Sequence, residues 1–164
     1  MITPASAQRI QELIDDAVRR GAQRLAGGAH HEAYVEPTLL DHVPPTAQLA
    51  SEETFGPVVT VVRVKDVDEA LALASQPQCG LDACVFTQHV YRMWRVAKRL
   101  RVGSVTVNDL PRPGVGLFPY GGVDQSGMGR EGIGDSVEEM TRHKTIVLNL
   151  EPAGLGKVHH VPRM

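Results

Sequence analysis

The chain has 164 residues, with 17 Lys and Arg against 19 Asp and Glu and a formal charge of −2 at pH 7. That length suits one domain with a real core, and the near-neutral balance carries no footprint of a nucleic-acid or anionic-membrane partner. No run of about 18 apolar residues could span a bilayer, and Met1-Ile2-Thr3-Pro4 lacks the basic-then-apolar pattern of a signal peptide. Two cysteines, Cys79 and Cys84, suit a reducing compartment, so a cytoplasmic location is expected.

In chain order, Thr3 can cap a helix with Pro4 at its first position. Ile10, Leu13, Ile14, Ala17 and Val18 then share one helical face, and Gly21 ends it. Residues 23–26 and 34–40 are short strands around Gly27-Gly28. Residues 58–64 form an almost continuous apolar run, the pattern of a strand covered on both faces. Asp66 and Glu69 make a capping box for a helix whose inward stripe is Val67, Ala70, Leu71 and Ala74. Residues 83–87 read as a strand and 91–100 as a helix, with Val90, Met93, Trp94 and Ala97 inward. Another strand covers 104–107. Residues 109–129 are dense in Gly and Pro and predict a long loop, a feature that tends to be functional. A short helix around 136–140 leads to a last strand, 145–150. Strands alternating with amphipathic helices predict an α/β fold with a parallel sheet.

The segment Ser51-Glu52-Glu53-Thr54-Phe55-Gly56-Pro57-Val58 resembles the acidic signature found late in the NAD(P)-dependent aldehyde dehydrogenase superfamily. Four further landmarks follow in that family's order: Gly80-Leu81 leading to Val85-Phe86-Thr87, Val105-Thr106-Val107-Asn108, Pro119-Tyr120-Gly121-Gly122, and Ser126-Gly127-Met128-Gly129-Arg130-Glu131. The resemblance runs to about Leu150 and covers only the C-terminal part of the family. It implies an incomplete aldehyde dehydrogenase catalytic domain at 1–141, an oligomerisation strand at 142–150 that joins a neighbouring subunit, and a mobile tail at 151–164. The family's nucleophilic Cys and general-base Glu belong to segments upstream of the matching part.

Several residue roles follow from the resemblance. Glu53 would accept hydrogen bonds from ribose hydroxyls of the cofactor, a task that suits a carboxylate with two acceptor oxygens. Phe55 would pack near the nicotinamide, and Gly56 and Pro57 would turn both side chains toward the cleft. Glu52 reads as a solvated surface carboxylate. Residues 109–118 fall where the family selects its substrate; Arg112 there could meet an anionic group, although a loop Arg is more often solvated. Phe118 and Tyr120 would form part of the wall of the aldehyde tunnel. Asn108 is expected to tie backbone by hydrogen bonds. Where the family usually carries a basic residue two positions after Gly-Gly, this chain has Asp124.

Other patterns compete with that reading. Gly127-Met128-Gly129-Arg130-Glu131-Gly132 satisfies G-x-G-x-x-G, with Glu151 about 20 residues on, but the fingerprint needs a strand running into its first Gly and a turn-rich loop stands there instead. Cys79 and Cys84 match neither the family's nucleophile motif nor a zinc spacing and read as small buried hydrophobes. His30-His31 and His159-His160 cannot present two rings on one ligand face, so no metal is expected. Arg92, Arg95, Lys98, Arg99 and Arg101 crowd one stretch, read as a solvated helix face rather than a nucleic-acid site.

The functional expectation is the C-terminal portion of an enzyme that oxidises an aldehyde to a carboxylic acid with NAD or NADP. The chain alone is expected to be inactive and to bind the cofactor only weakly. Its expected partners are further copies through the 145–150 strand and an upstream aldehyde dehydrogenase part. Two alternatives stay open: a non-catalytic binding or oligomerisation module derived from that fold, and a small nucleotide-binding protein using Gly127–Gly132.

Overall fold

The computed structural model describes residues 1–111 and 118–148. The chain opens with α1 (Pro4–Arg19), and Thr3 Oγ1 accepts the Ser6 amide at 3.1 Å as its cap. Ala7, Ile10, Leu13, Ile14 and Ala17 recur at helical spacing and are all buried. Val18 lies off that stripe, half exposed. Gly21, at φ 109°, adopts a left-handed turn that a Cβ would strain, and the helix stops there.

Strands β1 (Gln23–Ala26), β2 (His30–His31), β3 (Tyr34–Val35) and β4 (Thr38–Asp41) follow, and a 3₁₀ turn (Gln48–Ala50) leads to β5 (Val58–Thr60). The three-stranded sheet has the order β1-β4-β5, with β1 antiparallel and β5 parallel to β4, Leu39 opposite Val59. The inner side of this sheet meets α1. Leu40, Val43, Ala47 and Leu49 complete the core with the helix stripe, and Val58 and Val62 pack against it. Each fully buried Ile, Leu or Val here contributes roughly 1.5–3 kcal/mol. The 58–64 run is therefore not a strand covered on both faces. It is a three-residue edge strand, and Val59 faces solvent.

Helix α2 (Val67–Ala74) starts at Asp66, whose side chain accepts the Glu69 amide at 2.9 Å. Glu69 returns its carboxylate to the Lys65 amide at 2.8 Å, one residue before the cap itself. Strands β6 (Cys79–Gly80) and β7 (Asp82–Val85), helix α3 (Val90–Arg99), strand β8 (Ser104–Val107), strand β9 (Val123–Asp124) and helix α4 (Ile133–Met140) complete the described elements. β7 and β8 pair in parallel, Ala83 opposite Val105; β6 and β9 pair antiparallel, Gly80 opposite Val123. The α/β class holds, but the expected single parallel sheet does not. Among the described residues parallel pairing is confined to β4–β5 and β7–β8, in separate sheets, with antiparallel pairs and a bridge around them.

Three further expectations are corrected. Helix α3 turns Met93 and Ala97 inward as read, but Val96 takes the buried position beside them while Val90 and Trp94 stay exposed. Its basic residues are partly committed: Asp68 of α2 receives both Arg95 and Arg99, at 2.5 and 2.6 Å, and ties the two helices. Residues 145–148 belong to no strand of this chain; they are exposed, with Ile146, Val147 and Leu148 facing solvent. The rest of the proposed 145–150 strand and the 151–164 tail lie outside the described residues.

Candidate functional site

Glu53 and Phe55 face the same cleft, of about 560 Å³, lined also by Arg9, Ser51, Glu52, Gln76, Gln78, Cys79 and Gln125. Its first wall is the segment after the 3₁₀ turn. Gly56 packs closely on α1 there: a Cβ at that position would lie 2.7 Å from Ile10 Cδ1, so the Ile10 side chain would have to shift. Just before it, Phe55 takes up a left-handed backbone at φ 45° and is 77% exposed. A bulky residue held at positive φ is a strained arrangement of the kind that clusters at binding sites.

The second wall is the 76–79 turn and Gln125. The two are joined by a hydrogen bond from Gln125 Nε2 to Gln78 Oε1 and by the Gln125 amide on the Gln78 carbonyl at 2.9 Å. Cys79 Sγ stands across the cleft, 4.0 Å from Glu53 Oε2. Cys79 is thus half-buried in a cleft wall and Cys84 is exposed on its strand, so neither is the buried hydrophobe expected. Cys84 surfaces because one face of the β7–β8 pair is uncovered. The carboxylates divide: Glu52 takes an ion pair with Arg9 at 3.3 Å and is not simply solvated, while Glu53 keeps its carboxylate in the cleft.

Tyr120 belongs elsewhere. It lines a separate cleft of about 360 Å³ with Leu81, Ser126, Met128, Arg130 and Glu139. Its backbone bridges Glu131 in both directions, at 2.8 and 2.5 Å, and its hydroxyl bonds to Asp82, which also accepts Ser104 Oγ. Partial burial, then the Asp82 charge, push the Tyr120 hydroxyl up from its ordinary value, so at neutral pH it is a donor and no base. Phe118 is exposed and lines neither cavity. Arg112 lies outside the described residues. The structure thus brings together Glu53 and Phe55, and keeps Tyr120 apart from them.

Asn108 ties backbone as expected: its side chain accepts the Thr87 amide at 2.7 Å and donates to the Thr87 carbonyl at 3.0 Å, closing the ends of β7 and β8. Asp124 finds a partner within the chain, Arg101, at 2.6 Å. Sequence reading missed that pair and missed Arg9, because their partners lie 23 and 43 residues away with no local pattern to join them.

The G-x-G-x-x-G stretch is not a dinucleotide fingerprint. Only the two-residue β9 precedes it, with a turn between, and α4 opens with Asp135 in its first turn, where a phosphate would meet an anion. Among the described residues no three His, Cys, Asp or Glu side chains group to hold a metal; His159 and His160 lie outside them. No described helix is long and apolar enough to cross a membrane.

Residues 1–146 match the family model for the aldehyde dehydrogenase family. The chain belongs to the aldehyde dehydrogenase family. Among relatives of this aldehyde dehydrogenase chain is the lactaldehyde dehydrogenase of Methanococcus maripaludis strain C5, 38% identical over 91% of this chain and 32% of the relative. A solved NADP-dependent glyceraldehyde-3-phosphate dehydrogenase from Bacillus halodurans C-125, complexed with NADP, superposes with a TM-score of 0.88 and 44% identity over 92% of this chain and 32% of its own. A salicylaldehyde dehydrogenase from Pseudomonas putida G7, complexed with salicylaldehyde, gives 0.84 and 33% over 93% and 32%. This aldehyde dehydrogenase chain therefore spans about a third of the length of the relatives it matches.

Proposed function

We propose that the chain is the C-terminal portion of an aldehyde dehydrogenase catalytic unit, serving the NAD(P)-dependent oxidation of an aldehyde to a carboxylic acid. The observation that carries this reading is the shared cleft of Glu53 and Phe55. The residues present fit one end of a nicotinamide cofactor: a carboxylate able to accept two hydroxyl hydrogen bonds, an exposed aromatic ring beside it, and amide side chains opposite. They do not supply a phosphate site, since Arg9, the one cation among the cleft residues, is bound to Glu52. When bound, the nicotinamide accepts a hydride from the aldehyde-derived carbon. Glu53 would hold the ribose, Phe55 would limit the tilt of the ring, and Phe118 and Tyr120 would shape the approach of the aldehyde.

On this reading the chain alone turns over no aldehyde. Neither cysteine is set up as a nucleophile: Cys79 faces a carboxylate and Cys84 sits on an open strand face. The test is complementation. A family member truncated to lack the part matching residues 1–146 should regain aldehyde-dependent NAD(P)H formation when this chain is added or fused. Glu53→Gln should then weaken cofactor placement by roughly 1.5–3 kcal/mol, the worth of a charge-assisted hydrogen bond. Turnover by the isolated chain that a Cys84→Ser change abolishes would reverse the reading of the cysteines.

A further inference from the structure

The wall that carries Glu53 and Phe55 has no helix or strand of its own between residues 51 and 57. Helix α1 supplies the rigidity instead. Its inner stripe is deeply buried, with Ala7, Ile10, Leu13, Ile14 and Ala17 all at 3% exposure or less. It grips the wall at three levels. Asp16 Oδ2 accepts the Gln48 amide at 3.2 Å, where the 3₁₀ turn begins. Arg9 reaches three acceptors on three successive residues: the Glu52 carboxylate at 3.3 Å and the carbonyls of Glu53 and Thr54, each at 3.4 Å. Ile10 fills the space under Gly56.

We propose that Arg9 is a positioning residue for the cofactor-facing side chains Glu53 and Phe55, acting through the backbone between them; this rests on the reading of those two residues given above. The two carbonyls it holds belong to the peptide planes that lead into Phe55, so they fix the direction from which that residue enters its left-handed backbone. Residue 55 is then the one position between the Arg9 and Ile10 contacts left free to project, and its ring does project. Each of these bonds is long and individually modest. Their effect comes from being made by one planar guanidinium with several donors at fixed angles, a geometry the single ammonium of Lys cannot reproduce. Arg9 itself touches neither ribose nor ring on this account.

The experiment uses the whole chain, with nicotinamide mononucleotide at millimolar concentration as the probe. Backbone ¹⁵N order parameters and NMR shifts are followed in the wild type, Arg9→Gln, Arg9→Lys and Glu52→Gln. Arg9→Gln should lower the order parameters of residues 53–56 from about 0.85 toward about 0.6, leave those of α1 unchanged, and reduce probe-induced shifts at Glu53 and Phe55. Arg9→Lys should restore only part of this, and Glu52→Gln, which leaves both carbonyl contacts, should have the smallest effect. Unchanged order parameters at 53–56 in Arg9→Gln overturn the proposal and leave the reading of the cleft intact. A wild-type chain whose Glu53 and Phe55 signals ignore the probe defeats the reading of the cleft, and the positioning role with it, whatever the order of the loop.

Discussion

Arg63 grips Asp41 through both carboxylate oxygens, with Nη2 2.6 Å from Oδ2 and Nε 2.9 Å from Oδ1. Asp41 is buried at the end of β4 and also accepts the His42 amide at 2.7 Å. The pair therefore ties the segment after β5, three residues on, to the central strand of the main sheet.

The Arg63 hydrogen bonds first, opposed by burial and helped by the His42 amide, lower the Asp41 carboxyl from 3.8 to about 2. A folded value below the unfolded one gives stability that is complete above the unfolded value and lost as pH falls through the folded one. Urea midpoints should thus drop between about pH 4 and about pH 2. Asp68, held down first by Arg99 and then by Arg95, and Asp16, held down first by Arg20, add to the same direction. Asp41→Asn should be less stable than wild type at neutral pH and should flatten the acid limb. An acid limb as steep in the variant as in the wild type would assign the dependence to other carboxylates.

Phe55→Gly separates stability from function. Positive φ at Phe55 is strained for a residue with a side chain, and its ring is mostly in solvent. Relief of about 1–2 kcal/mol is offset by about 0.5–1 kcal/mol of glycine's chain entropy, so thermal stability should stay level or rise slightly. The complemented enzyme should lose cofactor placement. A large drop in melting temperature would mean the ring is part of the packing instead.

Gly103→Ala should destabilise by about 1–3 kcal/mol, the usual cost of overpacking. A Cβ at Gly103 would overlap the carbonyl oxygen of Gly121, which is backbone and cannot swing aside, while the Gly103 amide already bonds to the Leu81 carbonyl at 2.9 Å. Chemical unfolding of the variant measures it directly; a neutral result would mean the 103 and 121 segments separate easily.

Association is expected at micromolar concentration through residues 145–148. Ile146, Val147 and Leu148 are exposed together outside any helix or strand, and such an apolar, largely β-branched run is a template for strand addition. Lys at both Ile146 and Leu148 should shift sedimentation toward monomer. Monomeric wild type across that range would remove this segment from any contact.

Much of this was readable in the sequence, and the limits have physical causes. Thr3, Pro4 and Gly21 mark α1, and Asp66 with Glu69 marks α2, because capping is local chemistry carried by neighbouring residues. Residues 104–107 alternate and pair as a strand should. The 58–64 run misled because apolar content reports burial only when something covers both faces, and β5 is an edge. Trp94 misled for the same reason: its size suggested core, while the smaller Val96 took the buried position. The motif singles out Glu53 and Phe55, and both line one cleft. Nothing local singles out Arg9, because a surface arginine on a helix looks alike whether or not a loop 43 residues later folds onto it.

The unequal distribution of the core has a consequence for how this chain comes apart. Beyond residue 49 only Leu71 and Val96 are buried apolar side chains among the described residues. No single opening free energy then describes the molecule. The part from α2 to α4 can open and reclose many times for each event that exposes α1 and β4, since little apolar surface holds it shut. A protease cutting between residues 65 and 140 would read the population of that partial opening, whereas the segment around α1 would outlast it as a resistant piece.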